Sequence, residues 1–148
     1  MANQQNYSNH VRWFPLFHFV VVPLLLLNFL SHIVRLYLAE PGSGRKTLAF
    51  WTLLSVTFIL MALAARLQAL TVQNRVIRLE EKLRYKTVLP AELAATAEGL
   101  SLGQIIALRF ASDAELPSLV ERTLSGEFAR PKDIKKAVKD WRADHLRA

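Results

Sequence analysis

Two apolar runs near the front of the chain limit what it can fold into more than any other feature. Residues 14–37 read FPLFHFVVVPLLLLNFLSHIVRLY, and residues 47–65 read TLAFWTLLSVTFILMALAA. A bilayer core is spanned by about 20 apolar residues in a helix, and both runs reach that length. Little more than AEPGSGRK separates them, a polar turn with Pro41, Gly42 and Gly44. The expectation is a helical hairpin that crosses a membrane twice.

A cleaved signal sequence fits the first run poorly. The front is polar and carries Arg12, but the run is long and holds Pro23, Asn28 and Arg35. Cleavage after Ala39 would place Tyr37 where a small residue is needed. The run is therefore read as retained.

Orientation follows from basic residues near the membrane ends. Arg12, Arg66, Arg75, Arg78, Lys82, Arg84 and Lys86 flank one side, and Arg35, Arg45 and Lys46 the other, seven against three. That bias places both termini in the cytoplasm. Trp13 marks one interface, and Tyr37 and Trp51 mark the other, as aromatic belts do. Cysteine is absent, so disulfides, thiolate metal sites and thiol nucleophiles are excluded.

The net charge of +7 is spread unevenly: from Arg66 onward 15 Lys/Arg face 11 Asp/Glu, whereas the first 65 residues hold 4 and 1. Between Arg66 and Lys86 there is neither Gly nor Pro. Phe58, Ala62, Ala65, Ala69, Val72, Val76, Leu79 and Leu83 recur at alternating steps of four and three. This heptad seam predicts one helix over 48–88 that leaves the bilayer for water, roughly 60 Å long at 1.5 Å per residue. Ala62, Ala65 and Ala69 allow close helix approach in the membrane, and Val72, Val76, Leu79 and Leu83 continue the packing interface outside it.

Residues 1–9 read as a loose polar tail, and a bend is expected near Pro23. Beyond the long helix, Pro90 opens a helix that Gly99 closes. Ser101 with Gln104, and Ser112 with Glu115, have the spacing of capping boxes. Gly126 ends the third segment, and Pro131 starts a basic helix with Ile134, Val138 and Trp141 on one face. The expected fold is all-α: a two-helix transmembrane hairpin with an extended second helix and a small cytosolic helical tail. Its parts are an N-terminal tail (1–13), the hairpin (14–70), a helical extension (71–88) and a cytosolic helical domain (89–148).

Three stretches together, NYSNHVRWFPLFHFVVVP, IIALRFASDAELPSLVERTL and IKKAVKDWRADHLR, resemble a family of small bacterial membrane proteins of unknown function with two transmembrane helices. The most specific piece is ALRFASDAELPSLVER. The resemblance implies a multi-pass protein of the bacterial inner membrane. It implies a role for no residue.

Several constellations can be weighed for chemistry. His18 and His32 lie fourteen residues apart in the first membrane helix. An ideal helix turns about 1400° over that distance, so both rings share a face with about 21 Å between them. Such spacing suits two haems, one per leaflet; imidazoles meeting water or a neighbour near each interface is the simpler reading and is preferred. Asn28, Ser31 and Arg35 accompany His32, either as a ligand, lipid or quinone pocket or, preferred, as polar contacts between helices with Arg35 reaching the headgroups. In RVIRLEEKLRYK the basic residues either attract anionic lipid, with Arg75 and the preceding Arg66 as the headgroup contacts, or belong to a solvated face with spaced ion pairs.

The last basic segment, with Lys132, Lys135, Lys136, Lys139 and Arg142, imitates a DNA-reading helix, but Asp133, Asp140 and Asp144 interrupt it. No metal-ligand cluster, P-loop, dinucleotide turn or catalytic constellation is present. The sequence therefore points to a non-enzymatic adaptor or accessory subunit of a membrane complex, with lipid and a membrane protein as partners and a homodimer through the seam as one arrangement. No cofactor is expected. The rivals are a haem- or quinone-binding redox subunit and a membrane-tethered nucleic-acid-binding regulator.

Overall fold

A computed structural model describes residues 5–10, 13–42 and 44–144. Arg12, one of the seven basic residues behind the orientation, lies outside them. Among the described residues the protein is all-α with one isolated β-bridge, Ala111 with Trp141. A π-helical turn, Leu16–Val21, runs directly into α1 (Val22–Leu38). There follow α2 (Arg45–Val88), α3 (Ala91–Ala97), α4 (Leu102–Leu108), α5 (Leu116–Leu124) and α6 (Pro131–Ala137). The chain forms two compact units, residues 13–70 and residues 71–144 with the 5–10 segment.

In the first unit, the π-turn sits just before Pro23. Proline donates no hydrogen bond and its ring crowds the carbonyl four residues back, so the turn before it widens. The amide of Val22 donates to Phe17 O, five residues back. After α1, Gly42 (φ +93°) and Gly44 (φ +72°) reverse the chain into α2, in a backbone region that L side chains avoid.

The two long helices pack against each other through side chains. The His32 ring stacks on Trp51 at 6.4 Å, and the Arg66 guanidinium lies 5.9 Å over Phe17. Ser55, at 3% exposure, is the one buried residue among the described residues of this unit. Its Oγ donates to Trp51 O (2.7 Å), as Thr52 Oγ1 does to Leu48 O and Thr57 Oγ1 to Leu53 O. Each hydroxyl is thus satisfied by its own helix.

The second unit is built on the end of α2. Ile77, Glu81, Tyr85 and Leu89 follow at four-residue steps, which puts them on one helix face, and all are buried. Tyr85 and Leu89 join a core with Leu100, Ile105, Leu108, Leu116, Leu119, Val120, Ile134 and Val138. Helix α4 packs between α5 and α6, with Gly103 against the ring of Pro131.

Local signals set several boundaries. Ser101 and Gln104 form the expected capping box: Gln104 N donates to Ser101 Oγ (3.4 Å) and Ser101 N to Gln104 Oε1 (2.8 Å). Gly126, at φ +82°, closes α5: its amide donates to Thr123 O, and that of Glu127 to Arg122 O. This is the paired 5→2 and 6→1 pattern of a glycine-ended helix.

Three expectations are corrected. Ser112 caps nothing; its amide donates to Asp140 O, and α5 starts later, at Leu116. Glu115 instead accepts from Lys139 N (3.0 Å) and Asp140 N (3.3 Å). That capture ends α6 at Ala137, so Trp141 lies in the bridge to Ala111 instead of on the helix. The third correction is the tail. Residues 5–10 pack on the C-terminal segment: Asp144 N donates to Gln5 Oε1 (2.8 Å), and the His10 ring meets Phe110 (5.6 Å) and Trp141 (5.8 Å).

Candidate functional site

The part of α2 in the second unit has two unlike faces. Ile77, Glu81 and Tyr85 turn toward the core; Val72, Val76, Leu79 and Leu83 do not. The latter four are 60%, 47%, 61% and 58% exposed. At 100° per residue the two sets are centred about 170° apart, so the helical module that covers one face leaves the other open. Of the seam residues in the first unit, Ala62 is half-buried, and Ala65, Ala69 and Phe58 are exposed.

Around the covered face the charges form a network. Glu81 accepts from Arg84 (3.2 Å) and faces Arg142 (3.6 Å). Arg84 also binds Asp113 (2.6 Å) and donates to Ala111 O (2.7 Å), which ties α2 to the turn before α5. Arg109, 5% exposed at its side chain, pairs with Asp144 at 3.3 Å and lies 4.6 Å over the Phe110 ring. Glu80, Glu81, Arg84, Arg109, Arg142 and Asp144 border a cleft of about 460 Å³. Burial pushes the Glu81 carboxyl above its ordinary range against the pull of Arg84, Arg142 and Arg109, because the loss of hydration outweighs the ion pairs. Burial also raises the Tyr85 hydroxyl, and the neighbouring Glu81 adds to it.

From the sequence, RVIRLEEKLRYK reads as a solvated or lipid-facing segment. Its interior half is drawn into this network instead, while Arg75, Arg78 and Glu80 stay exposed. The missing signal was Asp113, which lies 29 residues further along the chain. Arg66, proposed for headgroup contact, is half-buried over Phe17.

In the first unit, Asn28, His32 and Arg35 line a groove of about 720 Å³ with Leu48, Trp51 and Ser55. His32 Nδ1 is buried there and makes no hydrogen bond. Ser31 is spent on its own helix, donating to Asn28 O (2.8 Å). His18 lies elsewhere, with Nδ1 at 2.9 Å from Phe14 O and its ring against Trp13 (4.8 Å) and Phe17 (5.3 Å). The stretch between the two histidines passes through the π-turn, which holds more than 3.6 residues, so the whole-turn count of an ideal helix does not carry across it. Among the described residues no three His, Cys, Asp or Glu side chains gather as a metal site.

The model of a family of unknown function, DUF6526, matches residues 1–148. The chain belongs to DUF6526. No curated protein and no solved structure matches this DUF6526 chain. Two of its helices, Leu16–Leu38 and Arg45–Val88, are long and apolar enough to cross a membrane by length and composition. The DUF6526 chain thus offers an open apolar row on α2, a charge network beneath the opposite face, and a half-polar groove between its long helices.

Proposed function

We propose that this DUF6526 chain is a non-enzymatic adaptor or accessory subunit of a bacterial inner-membrane complex. Its hairpin spans the bilayer, and both ends lie in the cytoplasm. The outward side chains of the first unit support insertion: Phe19 and Leu27 are each 66% exposed, and Leu38 is 71%. Water would oppose so large an apolar surface, and hydrocarbon accepts it. The single observation that carries the adaptor reading is the open row Val72, Val76, Leu79 and Leu83 on the helix that also holds the module. A partner helix that covers it removes apolar surface from water.

Fusion reporters test the topology: alkaline phosphatase at the C-terminus is expected to be inactive and a fluorescent protein there bright, and the reverse would sink it. Gentle detergent extraction tests the docking role. A stoichiometric companion, whether another protein or a second copy, should be retained by the full chain and lost with Val76→Glu and Leu79→Glu. Retention by the variant would overturn the reading.

The groove around His32 favours a second reading, a haem- or quinone-binding redox subunit, because His32 Nδ1 is buried and unbonded. A visible absorption band of the purified protein that is lost on His32→Ala would support it. A preparation transparent above the near ultraviolet would remove the haem form.

A further inference from the structure

We propose that the occupant of the open face of α2 is a second copy of this chain, in a parallel, in-register pair held by reciprocal Arg75–Glu80 contacts. The proposal rests on the reading of that face as a docking surface. It adds the partner and the register.

The side chains on the face choose the partner's geometry. Read as heptads, Val76 and Leu83 occupy a positions, and Val72 and Leu79 occupy d positions. Val76 at a with Leu79 at d has the β-branched-then-leucine order that favours a two-stranded parallel coil, while Val72 at d and Leu83 at a do not follow it, so the flanking charges decide the register. The residues flanking the row are then Arg75 and Lys82 at g, and Gln73 and Glu80 at e. In a parallel pair a g residue meets the e residue five positions on in the other helix. Arg75 therefore meets Glu80 of the partner subunit, and by symmetry Glu80 meets the partner's Arg75. Both side chains are exposed, and neither makes an ion pair among the described residues. The other pairs of this register, Gln68 with the partner's Gln73 and Lys82 with the partner's Thr87, set no like charges together.

Competing arrangements are poorer. A shift of one heptad retains one attractive contact, Lys82 with the partner's Glu80, and loses the reciprocal pair. An antiparallel arrangement would need the two hairpins to insert in opposite senses. The module does not block the face, since Ile77, Glu81 and Tyr85 lie on the far side of the helix.

The absence of cysteine makes the test direct, because each introduced thiol is unique. Single substitutions Val72→Cys, Val76→Cys, Leu79→Cys and Leu83→Cys, with Arg78→Cys as the control on the opposite side, are oxidised in native membranes. The proposal expects disulfide-linked homodimers at the four row positions, at least five-fold above the control. Arg75→Glu in the Val76→Cys background is expected to lower the linked fraction several-fold. Adding Glu80→Arg, which restores the pair with its signs exchanged, should recover it. A linked fraction indifferent to Arg75→Glu would overturn the register. Row positions that link through a bifunctional thiol–amine reagent to a different protein, and never to a second copy, would overturn the homodimer and leave the docking face standing. Row positions that link to nothing would overturn both.

Discussion

Glu81 keeps a carboxylate at 5% exposure on a helix that could have carried leucine there. Its folded-state pKa lies above the ordinary 4.5, because burial disfavours the charge more than Arg84 and Arg142 favour it. A raised carboxyl contributes stability that is fully present below pH 4.5 and is lost as pH rises through the folded value. Thermal unfolding of the full chain in detergent should show that loss above pH 4.5, and Glu81→Gln should flatten it. Identical pH profiles for the two proteins would refute it. Two glycines give sharper outcomes. A Cβ on Gly103 would meet Pro131 Cγ at 2.9 Å. The stiff ring cannot yield freely, so overpacking of roughly 1–3 kcal/mol exceeds the helix-propensity gain of about 1 kcal/mol. Gly103→Ala is expected to lower the melting temperature. Gly126→Ala would force a side chain into φ +82° and should cost about 1–2 kcal/mol.

Helix α2 gives a comparison between neighbours. Val76 and Ile77 are adjacent and alike in the sequence, yet Val76 is 47% exposed and Ile77 is 7% exposed. Ile77→Glu should unfold or loosen the module, with a loss of roughly 3 kcal/mol or more from an unpaired buried charge. Val76→Glu should leave the stability of the module within about 0.5 kcal/mol of the original once any partner is removed by detergent. Limited proteolysis reads both. Only the first variant should be cut faster, and equal protection of the two would mean that the faces are misassigned. Heptad spacing groups Val72, Val76, Leu79 and Leu83 into one row. It could not say whether the row faced the chain's own module, because Ile77, Glu81 and Tyr85 make an equally regular row at steps of four. The end of α6 was hidden for a similar reason. Nothing near Val138 breaks a helix; the carboxylate of Glu115, 24 residues away, captures the Lys139 amide.

Across the molecule, the first and last described segments belong to one unit. His10 lies on Phe110 and Trp141, and Gln5 binds the amide of Asp144. Removal of residues 1–10 should therefore destabilise a module whose own sequence is untouched, by about 1–2 kcal/mol from the lost ring contacts. Faster proteolysis between residues 138 and 142 would register the effect, and an unchanged rate would refute it. The sequence by itself determined the elements that depend on neighbours in the chain: two long apolar helices, an uninterrupted second helix, the Ser101 capping box and the Gly126 stop. Each is set by composition or by side chains within a few residues. The tertiary structure decided what depends on residues far apart: the network of Glu81, Arg84 and Asp113, the docking of residues 5–10, the stacking of His32 on Trp51, and the face of α2 left open. Hydrophobic spacing reports that a face wants burial. Which partner buries it is fixed only when the chain folds back on itself, because apolar contact is non-directional and every apolar row satisfies it alike.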